Sequence, residues 1–304
     1  MSSLQQTSSD FMHCQLFYVN EAQQAQIASL KALVVKHQLP IVLNIELFSE
    51  KLNQKRRQQL SQQLSQHSIQ PILVLDEKDK LSWLSDGLSV APEWDKLQRR
   101  VVSAGRKSEL LLQAAKITAD STVIDATAGF GHDSLILAST GAQVIMLEEQ
   151  PLMALFLLAE QQRMSTLPNW QKLMSRLQII NVDALSYFES IDFADSSNGS
   201  TADSYQTIDV VYLDPMFPED SYQDSKTGKG AKVGKHMQAL HQLARPPTLE
   251  EESQLLQSAQ AVVSQGAGQG RVVVKRPQLA PLLAHQQPSE SWHNEAVRFD
   301  GYFV

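Results

Sequence analysis

The segment Asp214-Pro215-Met216-Phe217-Pro218 brings together a carboxylate, a proline carbonyl and an aromatic ring. Its two prolines fix φ along the loop and so orient the carbonyls. An exocyclic amine of a nucleic-acid base is a poor nucleophile because its lone pair is delocalised into the ring. A site that accepts hydrogen bonds from both amine hydrogens, here through the Asp214 carboxylate and the Pro215 carbonyl, favours the pyramidal amine that attacks an electrophilic methyl group. No strong base is required, because the amine becomes acidic once methylated. Phe217 is placed to stack on the base, which structured nucleic acid must first expose or extrude. Asp-Pro is also a common turn starter, so the motif gains meaning from its surroundings.

A second constellation lies upstream. The apolar run Thr122 to Ala126 leads into Asp125-Ala126-Thr127-Ala128-Gly129-Phe130-Gly131-His132-Asp133, where small residues and two glycines let backbone N–H groups approach a ligand. The next apolar run ends on Glu148-Glu149, about twenty residues beyond the glycines, the spacing at which an acid accepts hydrogen bonds from both ribose hydroxyls. Asp183-Ala184 follows a third apolar run, and Asp183 is placed to accept from an adenine amine. An adenosine-containing cofactor fits these three positions. Ser134 stands where a dinucleotide fingerprint needs its third glycine. The acids Asp125 and Asp133, with His132, suit a sulfonium and an amino group better than a pyrophosphate. S-adenosylmethionine is therefore expected rather than NAD. The competing reading gives Gly129 and Gly131 a tight turn only, and makes Glu148 a helix N-terminal charge near Pro151.

These residues need a sheet to hold them. From Ser108 onward a helix, Ser108 to Lys116, precedes alternating strands and helices, with strands at Thr122 to Ala126, Gln143 to Leu147, Leu177 to Asn181, Ile208 to Leu213 and Arg271 to Lys275. Runs such as Val210-Val211-Tyr212-Leu213 suit strands buried on both faces of a parallel sheet. Ala296 to Val304 adds one or two antiparallel edge strands. Asp214 then follows strand four at the carboxyl edge, beside the cofactor turn. The expected fold is α/β, Rossmann-like, with a catalytic unit over 101–304. Residues 1–100 form a small α/β unit of their own, with strands Gln15 to Val19, Ile41 to Leu47 and Ile72 to Leu75 and helices Glu21 to His37 and Glu50 to His67. No chemistry is legible in that unit. Asp192 to Thr207, rich in Ser, Asp and Asn, reads as a surface loop.

The chain has 304 residues and a net charge of −7, which counts mildly against a broad basic face for nucleic acid. Basic residues are concentrated locally: Lys226, Lys229, Lys232 and Lys235 without an intervening acid, then Lys51 with Lys55, Arg56 and Arg57, and Arg99, Arg100, Arg106 and Lys107. The first group lies among glycines after the Asp-Pro motif and reads as a basic lid for RNA phosphates. Lys275-Arg276 at the end of strand five reads the same way. Each cluster could equally be a solvated face. Cys14 is the only cysteine, which leaves no disulfide within the chain and no multi-cysteine zinc site, and no metal is expected. The apolar stretches are too short to span a bilayer or serve as a signal peptide, so a cytoplasmic location is expected.

Together, the turn Asp125 to Gly131, Val210-Val211-Tyr212-Leu213-Asp214-Pro215-Met216-Phe217-Pro218, Arg271-Val272-Val273-Val274-Lys275-Arg276-Pro277 and Arg298-Phe299-Asp300 resemble the ribosomal RNA small subunit methyltransferase J family, from about Gly105 to the C-terminus. The resemblance implies a class I methyltransferase sheet of seven strands, mostly parallel, with helices on both faces. It also implies methyl transfer from S-adenosylmethionine to the exocyclic N2 of one guanine, conventionally numbered 1516, in 16S rRNA, free or within a small subunit or its assembly intermediate. The family's cofactor contacts would fall on His132, Asp133, Glu148, Glu149, Asp183, Ala184 and Asp214. The sequence departs from the family pattern at His132 and Glu149, where arginines are expected, and at Asp183-Ala184, where a serine pair is expected. Three rival readings are a methyltransferase on an adenine amine or a protein Gln amide, an NAD-dependent oxidoreductase, and a non-catalytic RNA-binding module.

Overall fold

Alternating side chains along the apolar runs supply two hydrophobic layers, and this decides the architecture. The computed structural model describes residues 11–48, 52–65, 70–85, 88–191, 207–217, 245–264 and 269–304. The first sheet has the order β2-β1-β3-β4-β5 and is built from β1 (Met12–Tyr18), β2 (Ile41–Leu47), β3 (Ile72–Leu75), β4 (Leu81–Ser85) and β5 (Leu88–Val90). Its first three strands pair in parallel and the last two antiparallel. The hairpin β4–β5 adds two strands to the three expected from sequence. Helices α1 (Gln24–Lys36) and α2 (Gln54–Ser65) accompany the sheet. Then α3 (Gln98–Ser103) and α4 (Leu110–Ala115) lead to the second sheet.

That sheet uses β6 (Thr122–Asp125), β7 (Gln143–Glu148), β8 (Leu177–Asn181), β9 (Val210–Leu213), β10 (Arg271–Pro277), β11 (Glu290–His293) and β12 (Val297–Phe303) in the order β11-β12-β10-β9-β6-β7-β8. All neighbours from β10 to β8 pair in parallel, and β12 runs antiparallel to both β10 and β11. Between the strands come α5 (His132–Ser139), α6 (Pro151–Ser165), α7 (Pro168–Met174), α8 (Ala184–Ser190) and α9 (Leu249–Ser264). Val123, Val144, Met146, Tyr212 and Val273 pack toward α4, α5 and α6. Their neighbours Ile124, Ile145, Val211, Val272 and Val274 pack toward α8 and α9. Helices thus cover both faces, as the strand period of two demands. This is the mostly parallel, seven-stranded class I α/β sheet. The terminal strand β12 is an inner strand, and the edge is β11, which the sequence pattern did not disclose.

The chain runs from β6 outward to β7 and β8, then returns to place β9 on the other side of β6. Loops after β6 and β9 therefore diverge and leave a crevice at the carboxyl ends of these two strands, the place where open α/β sheets bind ligands. The two sheets share one apolar core in which Leu30 and Leu73 join Leu152 and Leu158. Among the described residues no helix is long and apolar enough to cross a membrane. Within the same limits, no group of three or more His, Cys, Asp or Glu is placed to hold a metal ion.

Candidate active site

Asp125 closes β6 and is 1% exposed. Its carboxylate accepts hydrogen bonds from the Ser134 hydroxyl and, at 3.2 Å, from the Thr127 N–H. Burial pushes its carboxyl up to about 7, against the pull of those donors. The turn that follows uses its glycines differently. Gly129 has φ +53°, and among the described residues a Cβ there would meet nothing closer than the Thr127 carbonyl at 3.9 Å, which leaves this side of the turn open to a ligand. Gly131 has φ +71°, but a Cβ there would lie 2.7 Å from Met146 Cε and 3.0 Å from Trp94 Cζ2. The expectation that Gly131 meets the cofactor is corrected accordingly: it permits the turn to press on the core, and its N–H is spent on the Ala128 carbonyl at 2.7 Å.

Glu148 ends β7 and ties the turn to its own loop. It accepts from the Gly129 N–H at 2.9 Å and from the Gln150 N–H at 2.8 Å. Burial pushes this carboxyl up to about 7 even with both donors in place. Each oxygen keeps a further lone pair for an incoming hydroxyl. Asn181, which sequence reasoning missed, donates through Nδ2 to the carbonyls of Glu148 and Glu149 at 2.7 and 2.9 Å and fixes the turn between them. Asp183 caps α8 by accepting from the Ser186 N–H at 2.8 Å. Its N-cap role holds the carboxylate at the cavity wall.

Asp214 follows β9, with its N–H donating to Thr127 Oγ1 at 2.6 Å, which ties the loop after β9 to the turn after β6. Its Oδ2 accepts from Lys275 Nζ at 2.8 Å, and the same ammonium donates to Asp133 Oδ2 at 2.7 Å. The Tyr212 hydroxyl also donates to Asp133 Oδ2, at 2.7 Å. Burial alone would raise Asp133, but Lys275 and Tyr212 hold it below the usual carboxylate range. Asp214 moves the other way, since burial outweighs the help of Lys275. For Lys275 burial is outweighed by its two carboxylates, and its pKa rises. Burial lowers the pKa of His132, whose Nε2 lies 2.8 Å from the Pro92 carbonyl.

A cavity of about 610 Å³ joins these groups. Asp125, Gly129, His132, Asp133, Glu148, Glu149, Asp183, Ala184, Asp214, Pro215, Phe217 and Lys275 all line it. Phe217 is 4% exposed, and the Arg276 guanidinium lies over its ring, 4.2 Å from the centroid. Arg276 is itself 3% exposed and donates to Glu252 at 2.8 Å. Lys275 and Arg276, read from the sequence as phosphate contacts, are directed to internal partners here, Lys275 to Asp133 and Asp214 and Arg276 to Glu252. Pro218 and the lysines Lys226, Lys229, Lys232 and Lys235 lie outside the described residues.

Trp94 was also missed. It is fully buried, and its Nε1 donates to the Phe130 carbonyl at 2.7 Å, bracing the cofactor turn from the segment that follows the first sheet. Its signal in the sequence is one tryptophan in a polar stretch, with nothing to indicate a partner.

The donor set fits S-adenosylmethionine. Carboxylates converge on one cavity and would give a sulfonium and an ammonium their counter-charge, Glu148 keeps lone pairs that ribose hydroxyls would use, and Gly129 leaves its face of the turn open among the described residues. Sheet order, crevice and acids together define an S-adenosylmethionine-dependent methyltransferase. In agreement, residues 48–304 match the family model described as "Putative SAM-dependent methyltransferase". A crystal structure of a SAM-dependent methyltransferase from Neisseria gonorrhoeae has the same fold, with a TM-score of 0.62 and 24% identity over 95% of each chain.

The particular family follows from sequence relatives. The chain is 77% identical, over the full length of both, to ribosomal RNA small subunit methyltransferase J of Psychrobacter cryohalolentis. It is 35% identical to the protein of that name from Acinetobacter baumannii, over 77% of this chain and 79% of the relative. The chain belongs to the ribosomal RNA small subunit methyltransferase J family.

Proposed function

We propose that this protein methylates the exocyclic N2 of guanine 1516 in 16S rRNA, within a small subunit or its assembly intermediate in the cytoplasm. The observation that carries this reading is the position of Asp214. Its carboxylate has one oxygen held by Lys275 and about a third of the side chain's surface open to the cavity that Asp125, Glu148 and Asp183 also line. S-adenosylmethionine, when bound, supplies an electrophilic methyl group on a sulfonium. Glu148 would hold its ribose, Asp183 its adenine amine, and Asp125 and Asp133 would face its cationic end. Asp214 and the Pro215 carbonyl would take the two hydrogens of the guanine amine and so turn its lone pair toward the methyl group. Most of the catalytic effect of such a site is alignment of attacking and accepting atoms. We read residues 101–304 as the catalytic unit, and 1–100 as a unit that braces it and offers a further surface to RNA.

Mass mapping of methylated nucleosides in small-subunit rRNA from cells lacking the protein tests the target. One N2-methylguanine should disappear, and should return with the wild-type gene but not with Asp214→Ala. Loss of a methyladenine instead, or normal turnover by Asp214→Ala, would overturn the reading.

A further inference from the structure

Lys275 is the first residue of its strand beyond the apolar run Val272-Val273-Val274, all fully buried. The parallel register pairs Val274 with Leu213, so Lys275, the next residue of β10, and Asp214, the first residue after β9, stand side by side. From the other direction the first turn of α5 presents Asp133, whose carboxylate also reaches Lys275. A single ammonium thus sits between two acids from different elements, at 2.7 and 2.8 Å. Asp214 Oδ2 is taken by Lys275 and the Asp214 N–H by Thr127, while Oδ1 has no partner among the described residues.

We propose that Lys275 is a positioning residue for methyl transfer, clamping the Asp214 carboxylate by one oxygen so that the other faces the target amine as an ionised acceptor. The proposal rests on the reading of Asp214 given above. Two neighbouring carboxylates cannot both ionise without a counter-charge, and the pair retains a proton when none is supplied. A protonated Asp214 would offer the amine only a neutral carbonyl oxygen, a weaker acceptor than a carboxylate, or, with the proton on Oδ1, a hydroxyl of the wrong polarity. Among the described residues, the other charged or titratable groups around the pair are Asp125 at the end of β6, Tyr212 on β9, Arg276 on β10, His132 on α5 and Arg100 on α3. Arg276 is directed to Glu252 and Arg100 to Glu109, and Tyr212 donates to Asp133 only. Among the described residues, Lys275 is therefore the cation that reaches both acids directly.

The test uses full-length Lys275→Met, Lys275→Gln and Lys275→Arg, with unmethylated small subunits and S-adenosylmethionine as substrates. Melting curves identify which variants are folded. Lys275→Met and Lys275→Gln should lose at least about tenfold in kcat at neutral pH with KM for the subunit unchanged. Their kcat should climb as pH rises and the Asp133–Asp214 pair sheds its proton, whereas wild type stays level over the same range. Lys275→Arg keeps the charge and should retain more activity than either neutral variant, without the pH climb. A folded neutral variant with normal kcat and a raised KM for the subunit would make Lys275 a phosphate contact and overturn the proposal. A lowered kcat that ignores pH would also overturn it, and if both neutral variants fail to fold, an Arg variant as inactive as Asp214→Ala does so too. Asp214→Ala run alongside separates the two levels of inference: if it is active the reading of Asp214 fails, and if it is inactive beside normal Lys275 variants only the clamp fails.

Discussion

The indole N–H of Trp94 donates to the carbonyl of Phe130 at 2.7 Å, so the segment leaving the first sheet holds the turn that the cofactor must enter. Trp94 is completely buried, and its ring also abuts the position where Gly131 lacks a Cβ. Trp94→Phe should therefore leave the Phe130 carbonyl buried without a donor and open space beside Gly131. The unmet acceptor alone costs about 1–3 kcal/mol. Thermal unfolding should show this loss. Calorimetry should show weaker S-adenosylmethionine binding as well, since the turn is what the indole braces. Normal affinity in a destabilised variant would mean that the brace supports the core only.

The two glycines of the turn make opposite predictions. Both have positive φ, which costs an alanine of the order of 1 kcal/mol. Gly131→Ala adds contact with Met146 and Trp94, whereas Gly129→Ala has open space around the new methyl. Gly131→Ala should thus lower the melting temperature more. Gly129→Ala should be the milder change in stability and the more damaging to cofactor affinity, because its methyl occupies the face a ligand approaches. Equal effects of both on affinity would remove the distinction between a packing glycine and a binding glycine.

Much of this arrangement is legible in the sequence because it is local. The run Val210 to Leu213 announces a buried strand, and Asp214 must then stand at its carboxyl end. Other features depend on partners far along the chain. Lys275 has its acids 142 and 61 residues away, so charge alone suggests a phosphate contact where the fold places two internal carboxylates. Phe217 looked like a free platform, yet Arg276, also read as a phosphate contact, lies over its ring. Strand β11, Glu290–His293, is mostly exposed and shows no apolar alternation. Backbone pairing with β12 defines it, which side-chain patterns do not report.

Proton release should accompany cofactor binding. Asp125 and Glu148 are pushed up to about 7 by burial, whereas in an unfolded chain such groups titrate near pH ~4. Between those values the folded protein holds more protons than the unfolded chain, so this contribution to stability is complete below about pH 4 and is lost as pH rises through about 7. A cationic group near Asp125 and ribose hydroxyls donating to Glu148 each favour the ionised carboxylate and draw both groups downward. Asp133, held low mainly by Lys275 against its burial, is already ionised in this window. Affinity for S-adenosylmethionine should therefore rise from about pH 5 to about pH 8. Calorimetry in buffers of different ionisation enthalpy should record protons leaving. A binding constant level across that range, with no proton exchange, would count against carboxylates facing the cationic end.

The basic run from Lys96 to Lys107 contains Lys96, Arg99, Arg100, Arg106 and Lys107 and no acid, in a chain whose net charge is −7. Three of these side chains have partners within the chain, and Lys96 pairs with Glu93 at 2.6 Å. Arg100 forms a two-pronged pair with Glu109 at 2.9 and 2.8 Å, and Arg106 donates to the carbonyls of Lys116 and Ile117. Arg99 and Lys107 are exposed and carry no ion pair among the described residues. Helix α3, which carries Arg99 and Arg100, packs against α5, whose first turn carries Asp133 at the cavity wall. Phosphates flanking a base delivered to Asp214 would pass this rim. Replacing Arg99 and Lys107 by glutamine should raise KM for the small subunit with kcat unchanged. The slope of log affinity against log salt should fall by about one for each lost phosphate contact. Unchanged KM and salt slope would assign the run to solvent, and the RNA path would then have to cross another face of the molecule.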